Sequence, residues 1–191
     1  SQSQRLIRLT ENVLNVAKID SNSDEVILTK VNVNNLIKTC TQIVAMNYKD
    51  FKFEVSYAQD ELSSLCDNNK AQQILINILD NAAKYSKNSN IVEVNINTKH
   101  DYIVFVIKNY GSYIDKDNKT KIFEKFYRMD SYITSSAQGS GLGLYIAYNL
   151  AQKMGGDIKV NSNENPAWSE FYVYLPIYEV EKMTKCIKQE Y

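Results

Sequence analysis

Two asparagines four residues apart, Asn77 and Asn81, have the spacing in this chain that most clearly indicates chemistry. The apolar residues around them recur with a helical period, so residues 69–86 are predicted to form one helix with both asparagines on the same face. Asparagine is a poor helix former, which favours a specific task for the pair over an ordinary solvated face. A carboxamide oxygen is a hard, neutral ligand that suits Mg²⁺ already bound to phosphates, and Lys84, one turn later and followed by Tyr85, would add a positive charge for those phosphates.

A glycine-rich turn is the second feature of this kind. The segment Gly139-Ser140-Gly141-Leu142-Gly143-Leu144 leads directly into a helical pattern. Its alternate glycines leave backbone N–H groups unobstructed, and a helix N-terminus adds the positive end of its dipole, which together make a phosphate cradle. A flexible hinge is the alternative, but it does not explain why an apolar helical pattern starts at once.

The elements that would hold these groups are helices on a sheet. A second helix is predicted from about Gly141 to Met154, ended by Gly155 and Gly156, and a third from Asn32 or Asn34 to Met46. Strands are predicted from alternating or continuous apolar residues at 25–33, 51–57, 62–66, 91–98, 102–108, 157–162 and 170–177. Helices packed on one face of a mixed, mostly antiparallel sheet make an α+β, two-layer sandwich.

The start of the chain predicts a short helical stem. Leu6, Leu9, Val13 and Val16 stand at spacings of three, four and three. This is the apolar seam of a helix that packs against partner helices. Two heptads are too few to be stable alone, so the stem is expected to belong to a helical hairpin or a dimer.

Composition excludes several classes of protein. The 191 residues suffice for one domain with a short appendage. Lys+Arg and Asp+Glu are both 22, which argues against a nucleic-acid partner. His100 is the only histidine, which excludes two-histidine zinc sites and makes a hydrolase triad improbable. The three cysteines are far apart and indicate reduced thiols, and no apolar run is long enough to span a membrane.

Three segments resemble a known family. KAQQILINILDNAAKYS resembles the N box, IFEKFYRMD the F box, and GSGLGLYIA the second glycine box of the ATP-binding domain of sensor histidine kinases. The resemblance implies a Bergerat-type sandwich and covers roughly residues 24–178, while residues 4–20 resemble the end of the second dimerisation helix. The expected division is a dimerisation helix at 1–22, the ATP-binding domain at 23–178, and a helix or tail at 179–191.

The same resemblance implies ATP and Mg²⁺ as ligands. Asn81 and Asn77 would hold the metal, Lys84 would lie near phosphate, and Tyr85 would lie against the nucleoside. Phe123 and Phe126 would anchor a lid over ATP, and Arg128 would reach the phosphates, so Lys84 and Arg128 are the expected catalytic residues. The remaining expected contacts are Asn109 and Gly111 at the base, and Gly139, Gly141, Leu142, Gly143 and Leu144 around the phosphates.

The first glycine box departs from the family pattern Asp-x-Gly-x-Gly. This chain has Asn109-Tyr110-Gly111-Ser112-Tyr113. The family's Asp accepts a hydrogen bond from the adenine amino group, and Asn109 can still accept through its side-chain oxygen. The loss of charge is expected to cost about 1 kcal/mol, or about tenfold in affinity. Tyr113 would cost about 1–2 kcal/mol if its backbone needed a positive φ.

The family's phosphoacceptor segment, His-Glu-x-x-Thr-Pro, has no match in the sequence, and His100 is expected in a surface turn. The resemblance therefore implies the catalytic part of a kinase that phosphorylates a histidine on its own dimerisation domain. It also implies a homodimeric full-length protein, a response regulator receiver domain as partner, and a cytoplasmic position below a membrane anchor. An ATP-hydrolysing machine is one alternative, but it needs a Glu where Asn77 stands. A pseudokinase that acts as a dimerisation or docking module is the other, motivated by Asn109 and Tyr113.

Overall fold

The computed structural model describes residues 2–21, 23, 25–58, 61–129 and 139–179, apart from the side chains of residues 2–5 and 8. The predicted C-terminal helix or tail lies outside these residues, except for its first residue. The helices are α1 (Gln2–Asp20), α2 (Val33–Ala45), α3 (Asn68–Tyr85) and α4 (Gly143–Lys153). The strands are β1 (Thr29–Asn32), β2 (Lys52–Ser56), β3 (Ser63–Cys66), β4 (Ile91–Lys99), β5 (Tyr102–Tyr110), β6 (Asp157–Asn163) and β7 (Trp168–Pro176). Two 3-10 turns, Lys116–Asn118 and Lys121–Phe123, follow β5.

The main sheet has five strands in the order β2-β4-β5-β7-β6. Only β2 and β4 run parallel, and the other neighbours are antiparallel. Alternate residues of β4, β5 and β7 are buried toward the helices, as for Val94, Phe105 and Val173. A two-stranded sheet of β1 and β3 completes the domain. The predicted α+β sandwich is therefore confirmed.

Helix α3 has an apolar face and a polar face that match its sequence period. Asp67 caps the helix by accepting hydrogen bonds from the backbone N–H groups of Asn69 and Lys70, which satisfies donors that a helix start leaves unpaired. The face toward the sheet is fully buried at Ile74, Leu75, Ile78 and Leu79. This burial fixes the rotation of α3 and so decides where its polar face points.

Helix α4 begins at Gly143, two residues later than predicted. The reason is Gly141, whose φ of +70° is left-handed and so cannot belong to a right-handed helix. The C-terminus matches the prediction. Gly155 takes a φ of +71°, and the N–H of Gly156 donates to the carbonyl of Ala151, which is the Schellman arrangement.

Helix α1 confirms the predicted stem helix, and its apolar seam is only partly covered. Leu6 and Val13 of the seam are 66% and 50% exposed, whereas Val16 packs against the core. Among the described side chains of α1, only Ile19 is buried. The last turn of α1 is tied to the rest of the domain because the carboxylate of Asp20 accepts hydrogen bonds from Lys125 Nζ at 2.6 Å and Tyr145 Oη at 2.9 Å. The hydrogen bond from Lys125 is the main reason that the pKa of Asp20 is lowered. None of the described helices is both long and apolar enough to cross a membrane.

Candidate functional site

A cavity of about 650 Å³ opens between the polar face of α3, the glycine-rich turn before α4, and the ends of β5 and β7. Its volume lies in the usual range for small-molecule sites, about 300–1,000 Å³. Most of the residues predicted from the sequence lie on its wall: Asn77, Asn81, Lys84, Tyr85, Asn109, Arg128, Gly139, Gly141, Gly143 and Leu144. The fold therefore brings the asparagine helix and the glycine turn to one site.

One end of the cavity, here the glycine end, is formed by Asn77, Lys84, Gly139 and Gly143. A Cβ atom on Gly139 would lie only 2.4 Å from Lys84 Nζ, so the ammonium group rests directly on the glycine turn. The same ammonium lies 4.8 Å from the centre of the Tyr85 ring, a cation–π distance. The positive charge is thus held beside backbone that no side chain obstructs.

The glycine turn is fixed by a close approach to the backbone of Phe126. The N–H of Phe126 donates to the carbonyl of Gly141 at 3.0 Å, and a Cβ on Gly141 would lie 2.7 to 2.9 Å from backbone atoms of Phe126. Leu142 is fully buried and anchors the turn in the core. Ser140 Oγ accepts a hydrogen bond from the N–H of Leu142. The turn is therefore a fitted part of the cavity wall, which favours the cradle over a flexible hinge.

Asn77 carries an unpaired buried polar atom at the glycine end. Its Nδ2 atom is buried and has no hydrogen-bond partner among the described residues, and its Oδ1 lies 3.6 Å from where a Cβ on Gly143 would stand. The oxygen and nitrogen of an amide are assigned from their partners, so either can point into the cavity. In one orientation Asn77 offers N–H to a phosphate oxygen, and in the other it joins Asn81 as an oxygen ligand that fits Mg²⁺.

The opposite end, here the sheet end, is formed by Asn109, Ser112 and Ser169. All three line the cavity and are at least 95% buried. Asn109 Nδ2 donates to Ser112 Oγ at 3.1 Å, and Ser169 Oγ donates to the carbonyl of Ser112 at 3.1 Å. Asn109 and Ser169 are paired residues of β5 and β7, so the sheet itself sets the geometry of this end.

Tyr113 also lies on the wall, without the backbone strain that the sequence led us to consider. Among the described non-glycine residues only Asn88, His100 and Phe126 have a positive φ. The cost of about 1–2 kcal/mol for a left-handed tyrosine therefore does not arise. His100 is exposed in the turn between β4 and β5, as predicted.

Three of the predicted contact residues lie outside the cavity wall: Gly111, Phe126 and Leu142. Gly111 has a φ of +81°, and a Cβ there would lie 1.7 Å from the carbonyl oxygen of Lys87, so this glycine allows β5 to pass the end of α3. Phe126 is 65% exposed. Most of the lid expected between the aromatic anchors and the glycine turn, at 130–138, lies outside the described residues.

Other residues on the wall were missed by the sequence reasoning. Asp80 and Tyr48 face the cavity as a pair, because Tyr48 Oη donates to the Asp80 carboxylate at 3.1 Å. Leu9 and Asn12 of the stem also line it, with Asn12 Nδ2 lying 3.5 Å from Ser140 Oγ. These contacts are long-range, so no local pattern could have shown them. Asp80 is the exception, because the helical period of residues 69–86 places it near the face that carries Asn77 and Asn81.

We expect Gly139→Ala to weaken nucleotide binding about threefold to tenfold, the effect of losing about 1 kcal/mol. The new methyl group displaces the Lys84 ammonium, which is the movable end of a flexible side chain, so the free energy of unfolding should change little. Titration of Lys84→Ala and of the double variant provides the control. If Gly139→Ala acts through Lys84, the two effects will not add. Full additivity would contradict this coupling.

The fold and the cavity define a two-layer domain whose site has the Lys84 ammonium at one end and neutral polar groups at the other. Residues 66–179 match the family described as histidine kinase-, DNA gyrase B-, and HSP90-like ATPases. The chain belongs to this family.

Similar proteins narrow the class within that family. The chain is 31% identical to the sensor protein KdpD of Clostridium acetobutylicum over 88% of its length, and 31% identical to the sensor kinase WalK of Staphylococcus epidermidis over 94%. It spans only 19% and 30% of those two proteins. Among solved structures, a mycobacterial sensor histidine kinase, MprB, superposes with a TM-score of 0.70 at 26% identity, covering 81% of this chain and all of that one. The domain is homologous to the catalytic domains of sensor histidine kinases.

Proposed function

We infer that the cavity binds ATP together with Mg²⁺ and that the domain transfers the γ-phosphoryl group to a histidine on the dimerisation domain of the same kinase. The observation that carries this is the two-ended cavity. The glycine end combines the Lys84 ammonium, unobstructed backbone and a buried amide with an unpaired atom, while the sheet end offers neutral hydrogen-bonding groups suited to a base. A triphosphate with a nucleoside satisfies both ends at once.

The chain's own residues would position the phosphates and neutralise their charge. Phosphoryl transfer needs these two things more than covalent help. Lys84 and the N–H groups of the glycine turn meet the negative charge that develops on the transferred group, and Arg128 adds a second positive charge at the wall. Asn81 and Asn77 would hold Mg²⁺, which neutralises the phosphate oxygens when bound.

The two alternative functions are less well supported. ATP hydrolysis in this superfamily uses a Glu at the position of Asn77, and a neutral amide cannot act as a general base. A nucleotide-blind docking module would gain nothing from the unpaired amide of Asn77 or from a cavity of about 650 Å³. Tyr113 lines this cavity without filling it.

The stem supports a homodimer as the full-length state. Leu6 and Val13 are exposed, and both belong to the predicted apolar seam of a helix that packs on partner helices. In this proposal the partner helices carry the phosphoacceptor histidine, and a response regulator receiver domain takes the phosphoryl group from it. The domain would work in the cytoplasm, where ATP is supplied.

Autophosphorylation of the longer protein that carries this chain tests the proposal. With γ-labelled ATP and Mg²⁺ we expect label on histidine, stable to alkali and labile to acid. Lys84→Ala should slow the labelling about 100-fold, the effect of removing one positive group that stabilises the transition state. Lys38→Ala changes an exposed lysine of α2 away from the cavity and should label normally. Normal labelling of Lys84→Ala, or label on another residue type, would contradict the proposed mechanism.

A further inference from the structure

Asn109 has one hydrogen-bonding atom committed and one free. Asn109 is 2% exposed and lines the sheet end of the cavity. Its Nδ2 donates to Ser112 Oγ, whereas its Oδ1 has no hydrogen-bond partner in the part of the chain that the structure describes. Oδ1 is not among the buried unpartnered atoms of the described residues, so it opens onto the cavity that Asn109 lines. A ligand in the cavity can therefore pair with Oδ1 directly.

The hydrogen bond between the Asn109 amide and Ser112 Oγ can form in either orientation of the amide. A serine hydroxyl can both accept and donate a hydrogen bond. Ser112 Oγ can accept from Nδ2, as observed, or donate to Oδ1 after a half-turn of the amide about its terminal bond. The backbone of Ser112 is held in both cases, because its carbonyl accepts from Ser169 Oγ. Asn109 can therefore present either a carbonyl oxygen or an N–H group to the cavity without losing its internal hydrogen bond.

The two orientations match two kinds of purine. A 6-aminopurine presents a donor at position 6 beside the acceptor N1, whereas a 6-oxopurine presents an acceptor at position 6 beside the donor N1–H. A carboxamide has one acceptor and one donor side by side, so it pairs with the first edge in one orientation and with the second after a half-turn. A carboxylate has only acceptors and would repel a 6-oxo group placed against it.

The sheet end is neutral, so we expect the uncharged base of a nucleotide to lie there, against Asn109, and the charged phosphates to lie at the other end. None of Asn109, Ser112 and Ser169 is charged, and the lysine that lies on the glycine turn is at the other end. We propose that Asn109 makes the site accept purine nucleoside triphosphates with either an amino or an oxo group at position 6. This inference rests on the proposed function, because it requires that the cavity binds a nucleotide.

Calorimetric titration of the chain with ATP and with inosine triphosphate, each with Mg²⁺, tests the proposal. Inosine triphosphate carries the 6-oxo group without the 2-amino group of guanine, so the comparison isolates the edge that Asn109 would read. We expect the two dissociation constants to agree within tenfold. If ATP binds and inosine triphosphate is weaker by more than tenfold, this inference alone is overturned. If neither nucleotide binds, the proposed function fails as well.

Asn109→Asp assigns the effect to this residue. The carboxylate accepts a charge-assisted hydrogen bond from the amino group, so ATP should bind up to roughly tenfold tighter. It should also reject the 6-oxo group, so the preference for ATP over inosine triphosphate should rise at least tenfold. Asn97→Asp adds the same charge at an exposed position of β4 and should leave the preference unchanged. A smaller rise in Asn109→Asp than tenfold contradicts the proposal, and if that variant does not fold, the ratio in the original chain decides.

Discussion

Asn81→Ala should abolish Mg²⁺-dependent binding of ATP while the domain stays folded. Asn81 lies on the cavity wall, one helical turn after the buried amide of Asn77, and it is one of only two carboxamides that α3 presents there. Loss of Asn81 leaves Mg²⁺ with a single protein ligand, Asn77, besides the phosphates, which should be too few to hold it in the cavity. Because the side chain is only partly buried and belongs to the polar face of α3, its truncation should change the free energy of unfolding by less than about 1 kcal/mol.

The matched control for this prediction is Asn69→Ala. Asn69 belongs to the same helix, but its side chain is exposed and lies away from the cavity. Calorimetry with ATP and Mg²⁺ should show unchanged affinity for this control and no measurable binding for Asn81→Ala. Equal affinities in the two variants would show that the metal is held elsewhere.

The largest loss of stability is expected from Gly111→Ala. Its φ of +81° costs a non-glycine residue about 1–2 kcal/mol. The new Cβ would also lie 1.7 Å from the carbonyl oxygen of Lys87, in a segment held by the hydrogen bond from the N–H of Lys87 to the carbonyl of Tyr110. Because this hydrogen bond holds the Lys87 backbone in place, its carbonyl oxygen cannot move away easily. The resulting overpacking should lower the free energy of unfolding further, by about 1–3 kcal/mol.

Gly155→Ala separates the two causes of that loss. Gly155 has a similar φ of +71°, but a Cβ there meets nothing closer than 3.9 Å. Urea unfolding should therefore show about 1–2 kcal/mol lost for Gly155→Ala, and clearly more for Gly111→Ala. Equal losses would mean that the segment at Lys87 moves aside, and that Gly111 is needed only for its backbone conformation.

Most of the site residues on α3 and in the glycine turn could be predicted from the sequence. The period of apolar residues in α3 was enough to place Asn77, Asn81 and Lys84 on one face, because burial of Ile74, Leu75 and Ile78 fixes the rotation of the helix. The glycine turn was recognisable because its glycines are required locally. Both predictions depend only on residues that are close together in the sequence, so tertiary contacts changed them little.

The sheet-borne half could not be predicted in the same way. Ser169 reaches Asn109 only through the register between β5 and β7, which joins residues far apart in the sequence. Gly111 was expected at the base, but it is placed by a contact with Lys87 that no local pattern shows. The start of α4 was predicted two residues early because Gly141 fits a helical pattern by spacing, whereas its left-handed backbone excludes it from the helix.

The Asp20 carboxylate, held by Lys125 and Tyr145, joins the stem to the segment that precedes the glycine turn and to α4. Together with Leu9 and Asn12 on the cavity wall, it places the stem beside the cavity. Movement of the stem therefore has a direct structural route to the site, through Asn12 and Ser140 at one point and through Asp20 at another.

Titration of this chain with ATP, first with Mg²⁺ and then with a chelator in its place, tests the central claim most directly. We predict saturable binding at one site per chain, at least tenfold weaker without Mg²⁺, because in the proposed function the amides of Asn77 and Asn81 act mainly through the metal. Absence of saturable binding under both conditions would contradict the assignment of the cavity to ATP. Binding of equal strength with and without Mg²⁺ would contradict the role given to the two asparagines.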